Sequence, residues 1–435
     1  MMKRFLLMAL VCAISVPLFA VSPTEKRLEA QKNSQHLIYI GNEASVDTSA
    51  VSKMIENFYI DQFRSFQDPL APYFMLMSKS GNLAMGIGGV VRMRGWYDWN
   101  GAMDQSAFIP YDISIPKDPT RSHWFGSTPS GTAIFARIFG HSDKVGHYQA
   151  YIEAKFSGYG NRDFKLNKAY FTIGDWTVGY APSTFTDPMA APPTVDSQGP
   201  NSLMSYTNVL VRWMHVFKKG MVVGASIESP NGSIPELEGK YTGCSDFMPN
   251  VAAFVQYQWN GGLQHVRLSG IMRGLEYRNL VESENHKVMG WGVHLSTVFR
   301  PVDPLTVYGG VNYGKGIGNM VQDLQNAPMD LIGDPSGNGR MTAPESFGWY
   351  AALQYNFAPN VFSTVMFSEE RFLPKHQPVM DNYTYKYGLY GAANIFWEIH
   401  PRCQIGLEYD LGKRMDIDHK YGWVDQVTLM GQFSF

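Results

Sequence analysis

The chain has 435 residues, with 36 Lys and Arg against 38 Asp and Glu and a formal charge of −2. Its 42 Gly, 24 Tyr, 26 Phe and 10 Trp are many beside so few charges, yet mean hydropathy is only −0.19. That average is too polar for a bundle of membrane helices, and it suits strands that are half apolar and half polar.

Residues 1–20 read as a secretory signal. Lys3 and Arg4 make the positive start, residues 5–16 the apolar stretch, and Ala20 a cleavage position with the bulky Leu18 two places before it. The apolar run falls short of the roughly 20 residues that a span needs. Cys12 stands too early for a lipoprotein cleavage box. Without Lys3 and Arg4, 34 basic residues face 38 acidic ones.

Residues 21–80 are expected to form a polar and partly helical periplasmic segment ahead of a barrel over 81–435. Val51, Met54, Ile55, Phe58, Tyr59, Phe63 and Phe66 recur at helical steps, so a helix is predicted over 49–66. Asp47 or Ser49 suits its start, and Pro69 and Pro72 its end.

From residue 83 the period becomes two. Sixteen strands are predicted, at 83–97, 130–141, 146–157, 163–173, 175–185, 205–217, 220–228, 249–259, 262–277, 287–300, 304–315, 346–357, 361–372, 386–399, 403–412 and 423–435. In the first, Leu83, Met85, Ile87, Val91 and Met93 share one face, and Arg92, Arg94 and Asp98 the other. Short connections alternate with long ones, the long ones being 98–129, 186–204, 229–248, 278–286, 316–345, 373–385 and 413–422. Residues 158–162 are brief but fall on the long side. Outer-membrane barrels have this even count and this asymmetry of turns and loops. The expected fold is therefore all-β: a sixteen-stranded antiparallel transmembrane β-barrel with both ends in the periplasm. Cys244 and Cys403 then lie at opposite rims, beyond the roughly 7 Å that a disulfide spans.

The chain ends MGQFSF. Phe435 after alternating apolar positions resembles the terminal signal by which outer-membrane barrels are recognised for assembly.

Longer stretches resemble one family. KLNKAYFTI at 165–173 leads through GDWTVGY and FTDP to PTVD, QGPN and NVLVRWMHVF. Further matches are VRLSGIMR at 266–273, GWGVHLS at 290–296, GKGIG at 314–318 and ANIFWEIHPRCQIGLEYDLGKR at 393–414. These resemble the DcaP-like trimeric outer-membrane porins, in a Bacteroidetes-type variant. The resemblance implies a homotrimer of sixteen-stranded barrels and uptake of anionic solutes such as dicarboxylates. It also implies outer-membrane lipid and lipopolysaccharide around the barrel, and the barrel-assembly machinery as a partner. Members can carry a coiled coil before the barrel, for which residues 24–36 are too short.

The third outer loop, 186–204, holds four prolines and one glycine. Proline stiffens a loop, which suits a constriction that keeps its shape; an ordinary surface loop is the alternative. Asp187, Asp196, Gln198 and Asn201 are its candidate constriction residues.

Strand parity sends Arg92, Arg94, Arg137, Lys155, Lys168, Arg212, Arg267 and Arg273 into the lumen, because charge on the lipid face costs roughly 2–4 kcal/mol near the midplane. Asp98, Glu153, Glu228, Glu398, Glu408 and Asp410 face inward too. A basic lining concentrates anions, and Arg can grip a carboxylate with two donors. The alternative is that these cations pair with Glu153, Asp187 and Asp196 and brace the barrel.

GGVNYGKG at 309–316 lacks the Ser or Thr of a phosphate-binding loop and lies on a predicted strand. Asp416 and Asp418 read as solvated loop charges. No HExxH or GxSxG occurs, so no cofactor, metal or nucleic-acid partner is expected. The reading is a passive porin for small, preferentially anionic solutes in the outer membrane of a Gram-negative bacterium. The alternatives are a barrel enzyme of protease or phospholipase type, and a structural or adhesive barrel.

Overall fold

The structure, a computed structural model, describes residues 26, 29–31, 33, 36–39, 63–78, 83–101, 107–142, 144–156, 163–217, 220–333, 338–373 and 384–435. Sixteen antiparallel strands form the barrel wall. They are β1 Leu83–Asp98, β2 Ala133–Ser142, β3 Gly146–Phe156, β4 Phe164–Ile173, β5 Trp176–Pro182, β6 Thr207–Val216, β7 Met221–Glu228 and β8 Met248–Trp259. The second half comprises β9 Gln264–Asn279, β10 Glu284–Val302, β11 Leu305–Lys315, β12 Glu345–Ala358, β13 Val361–Phe372, β14 Tyr385–His400, β15 Cys403–Asp416 and β16 Tyr421–Ser434. Each pairs with the next, and β16 returns to β1 from Gln426↔Asp98 to Ser434↔Val90, which closes the barrel.

Burial follows the predicted parity. Leu83, Met85, Ile87, Val91 and Met93 of β1 are exposed, while Arg92, Arg94 and Asp98 are buried. The exposed belt continues through Val251 and Val255 on β8, Leu268 and Met272 on β9, and Val293 and Leu295 on β10. A soluble monomer rarely leaves so continuous an apolar surface open; lipid is the medium that covers it. Trp176, Tyr257, Phe299, Phe357, Trp397 and Phe433 stand exposed near one end, as an interfacial girdle does. At that end Gly174, with φ +55°, lets β4 turn into β5 across two residues.

Two connections expected to be long are short. β9 and β10 run on to Asn279 and Glu284, and β15 and β16 to Asp416 and Tyr421. Beyond the membrane the ladder is held by polar pairs, such as Arg278 donating to Asn285 at 2.9 Å and Asn285 to Glu276 at 3.1 Å. Apolar alternation stops there although the strands continue. Cys244 and Cys403 are free thiols.

The helix predicted over 49–66 lies outside the described residues except at 63–66, which show turns and no helix. Residues in the segment ahead of the barrel nevertheless join the sheet. Phe74–Met77 pairs antiparallel with β1 from Phe74↔Ile87 to Met77↔Ala84, on the edge that β16 has left, and His36–Tyr39 pairs parallel with it. The strand Phe74–Met77 thus adds to the barrel sheet ahead of residue 80.

Candidate functional site

The loop between β5 and β6 folds into the barrel. Phe185, Asp187, Ala190, Val195, Asp196 and Asn201 are all fully buried, which an ordinary surface loop is not. Its shape is set locally. Pro188 opens a short 3-10 turn, and Asp196 accepts from the backbone N–H of Gln198 at 3.1 Å and of Gly199 at 2.8 Å. Gly199 takes φ +80°, a left-handed conformation that favours glycine.

The wall then grips this loop around its circumference. His265 on β9 and Ser296 on β10 meet Asp187 Oδ2 at 2.7 and 2.6 Å. Arg267 donates to Thr186 O at 2.9 Å, and Arg94 Nε to Val195 O at 2.7 Å. Tyr350 on β12 donates to Ala190 O at 3.1 Å, and Asn394 on β14 to Pro193 O at 2.9 Å. Asn201 donates to Gly388 O at 3.0 Å. Gly348 and Gly388 make room for the docked loop. A Cβ on Gly348 would lie 2.9 Å from Ser202 Cβ, and one on Gly388 3.0 Å from Asn201 Nδ2.

Three further segments enter the lumen, and sequence periodicity indicated none of them. Phe108, Ile109 and Ile113 pack against Tyr390, Ala392 and Val424. Residues 317–332 pack on the constriction loop, with Gln322 N–H donating to Leu203 O and Asp323 N–H to Asn201 O, both at 2.9 Å. Residues 63–70 enter from the periplasmic end. Phe66 meets Phe362 and Phe396 edge-on, and the Phe63 ring lies 3.5 Å from the Arg212 guanidinium carbon. Gln67 donates to Thr194 O at 2.8 Å. The signal for these insertions was available as apolar residues in segments assigned to loop or periplasm: Phe63, Phe66, Phe108, Ile109, Leu324 and Leu331.

These inserts decide what the inward cations touch. Arg92 donates to Gln432 at 2.8 Å and to Gln67 O at 3.1 Å. Arg94 reaches Ser130 O at 2.8 Å and Gln67 Oε1 at 2.9 Å besides Val195 O. Neither forms an ion pair among the described residues. Arg212 donates to Pro182 O, Arg137 to Gln149, and Arg273 to Gly316 O and Asn231 O. Carboxylate pairing is seen for Arg273 with Asp330 at 3.1 Å, for Arg267 with Asp187 at 3.8 Å, and for Lys168 with Asp68 at 2.6 Å. Glu153 is engaged by Asn167 and Tyr151 instead. Bracing is thus chiefly by backbone carbonyls and side-chain amides. A neutral acceptor fixes the position of a guanidinium without cancelling its charge.

A cavity of about 470 Å³ runs beside the constriction loop. Its charged lining is Lys155, Lys168 and Asp68. None of the six arginines lines it. Gln198 lines it, while Asp187, Asp196 and Asn201 act as hidden anchors. A second cavity, of about 190 Å³, lies on the periplasmic side and is bounded by Arg64, Arg92, Glu398, Arg402 and Gln432 among others. Ser65, Phe66 and Asp68 border both cavities.

Buried carboxylates line the opposite wall and are sealed from the cavity. Glu408 accepts from Asp196 N–H and Asn394, Asp410 from Tyr390, and Glu370 from Asn312. In the loops, burial pushes the Asp196 carboxyl up to about 6, outweighing the N–H donors of Phe108, Gln198 and Gly199 and the charge of Arg94. Burial likewise pushes Asp323 up to about 6 against the donors Tyr385, Tyr111 and Asn201. Burial also opposes the charge on Asp187, but Arg267, His265 and Ser296 outweigh it and hold that carboxyl well below its usual range. Asp68 is held below its usual range in the same way, Lys168 and the Ser65 N–H outweighing burial.

Among the other sequence candidates, GGVNYGKG lies on β11 but for its last residue. Asp416 accepts from Arg414 at 2.9 Å, and Asp418 pairs with Lys420 at 3.0 Å. Ser296 donates to Asp187 and not to a histidine, so His265, Asp187 and Ser296 form an anchor and not a nucleophile relay.

A family model described as the DcaP outer membrane protein matches residues 83–319. The outer membrane channel DcaP of Acinetobacter baumannii is similar in structure, with a TM-score of 0.71 at 18% identity, over 84% of this chain and 100% of that one. An anion-selective porin from Comamonas acidovorans gives 0.54 at 9% identity, over 81% and 100%. OmpF of Salmonella typhi, in complex with daunomycin, gives 0.51 at 10% identity, over 82% and 98%. At these identities the likeness is one of fold. No curated protein matches the chain in sequence.

Proposed function

This chain belongs to the DcaP outer membrane protein family, and from that premise we propose that it is a passive channel preferring small anionic solutes, dicarboxylates among them. It is an outer-membrane porin-like barrel of a Gram-negative bacterium; the preference is our own reading. One observation carries it. The cavity's charged lining is two lysines against one carboxylate, and Arg92 and Arg94 stand behind it with their charges uncancelled by any ion pair among the described residues. Charge of one sign in a narrow, low-dielectric passage raises the local concentration of the opposite ion. Lys155 has no hydrogen-bond or ion-pair partner among the described residues, which leaves its donors open to a solute carboxylate. Assembly as a homotrimer, a bounding layer of lipid and lipopolysaccharide, and delivery by the barrel-assembly machinery, with Phe435 in the recognised signal, belong to the same proposal.

The test is a reversal potential across a salt gradient. Wild type is expected to favour chloride and succinate over potassium, and less so at high salt, because screening acts over about 10 Å at 0.1 M. Lys155→Met with Lys168→Met should move the reversal potential toward cations. A wild type that prefers cations overturns the proposal.

A further inference from the structure

We propose that Lys168, with Lys155 beside it, is a carboxylate-binding site of the channel, and that its occupant in the resting protein is the chain's own Asp68, a tethered counter-anion that a passing carboxylate solute displaces. This rests on the anion-channel reading above and adds a site and a gate to it.

The argument begins with the 65–68 turn. Ser65 N–H donates to Asp68 Oδ2 at 2.9 Å, and Asp68 N–H to Ser65 O at 3.2 Å, so the turn closes on itself. Arg64 caps its far side by donating to Pro69 O at 2.7 Å. The turn presents the Asp68 carboxylate to Lys168 Nζ at 2.6 Å. Lys155 lines the same cavity as that carboxylate, and Arg92 bounds the second cavity together with it. A carboxylate among three cations is what an anionic solute would be at the same place.

The position of the turn makes the occupancy matter. Ser65, Phe66 and Asp68 form the partition between the cavity beside the constriction loop and the one at the periplasmic mouth. A solute crossing from one to the other meets this partition. Among the described residues, what holds it from outside the turn is polar or aromatic: Gln67 to Thr194 and Asp196, Arg92 and Arg94 to Gln67, Phe66 on two phenylalanines, and the Lys168 ion pair. The turn is an insert and no strand of the wall, so it can leave without breaking the sheet; Phe74–Met77 pairs with β1 independently of it. A carboxylate in the main cavity meets Lys155 on its lining and competes with Asp68 for Lys168. Nothing bonds covalently in this exchange; one ion pair replaces another.

The experiment uses full-length protein in planar bilayers, with succinate titrated into chloride at constant ionic strength and the chloride current recorded. Asp68→Asn removes the competitor and keeps the side-chain volume. It is expected to lower the succinate concentration that half-blocks the current by about fivefold or more, the lower bound of an ordinary coupling between sites. Lys168→Met is expected to raise it. An unchanged half-block in Asp68→Asn overturns the proposal while the wild-type reversal potential still supports an anion channel. A cation-preferring wild type overturns the anion reading itself. Should Asp68→Asn fail to assemble, the wild type supplies the second measurement: cleavage by trypsin after Arg64, which is out of reach while the turn sits in the lumen. Succinate should speed that cleavage relative to chloride at equal ionic strength, and equal rates overturn the proposal.

Discussion

Asp187 and His265 meet at 2.7 Å with both side chains fully buried, joining the middle of the constriction loop to the β9 wall. Arg267 and Ser296 face the same carboxylate. The four groups form one anchor, and removing the carboxylate leaves His265 and Ser296 without that partner and the Arg267 charge with only the neutral acceptors Thr186 O and Gln256. Taking one partner from a buried charged pair costs on the order of 3–5 kcal/mol, because the remaining charge is stranded in a poor solvent. Asp187→Ala is therefore expected to free the loop and leave the barrel standing. Single-channel recordings should show larger and noisier currents, with folded yield on a heat-modifiable gel reduced by less than half. A quiet, wild-type conductance would mean that the remaining contacts, such as Arg94 to Val195, hold the loop alone.

The last residue closes the seam. Phe435 and Gly89 exchange backbone hydrogen bonds, each 3.0 Å long, one step beyond the last pair of β16 with β1. The phenyl ring lies over Gly89, where a Cβ would stand 2.7 Å from it. Deleting Phe435 loses both bonds, at about 1 kcal/mol each, together with the ring. Phe435→Ala loses the ring alone. The deletion should lower the folded fraction more than the substitution at limiting assembly machinery, again read by heat-modifiable mobility. Equal losses would assign the effect to the terminal aromatic as an assembly signal and not to the seam.

Acid should tighten the loops. The Asp196 and Asp323 carboxyls stand at about 6 in the folded protein, above the ordinary value of about 3.9 for an unfolded chain. A raised carboxyl binds protons in the folded state before the unfolded state does, so stability falls as pH rises from about 4 to about 6. The cost of charging them is in full force above that window and is relieved below it. Asp187 works the other way: its depressed carboxyl contributes stability above its unfolded value, and loses it only in strong acid. Of these three loop carboxyls, only the first pair titrates between pH 7 and pH 5. The temperature of the heat-modifiable transition should rise on acidification over that interval, and the rise should shrink in Asp196→Asn with Asp323→Asn. A transition that falls from pH 7 to pH 5 in wild type would show that other groups dominate.

Much of the wall was legible in the chain. A strand between lipid and lumen must alternate, so Leu83, Met85 and Ile87 could be set against Arg92 and Arg94 by counting residues in twos. Charge cannot face lipid cheaply, which placed all eight cations inward, and the asymmetry of connections separated the two ends. Where strands left the membrane this signal ended, as at Arg278 and Asn285, and the predicted ends fell short.

What fills the barrel was decided by tertiary structure alone. Arg94 reads from sequence as a lining residue. It is instead covered by Val195 and Gln67, which stand 101 and 27 residues away from it. The charged lining of the main cavity is left to Lys155 and Lys168, and to Asp68 from a segment with no barrel pattern. Strand parity is a local property of the backbone, so a sequence carries it residue by residue. A lumenal insert is held by contacts between distant segments, each closing its own loop, and no period in the chain marks which arginine an insert will cover.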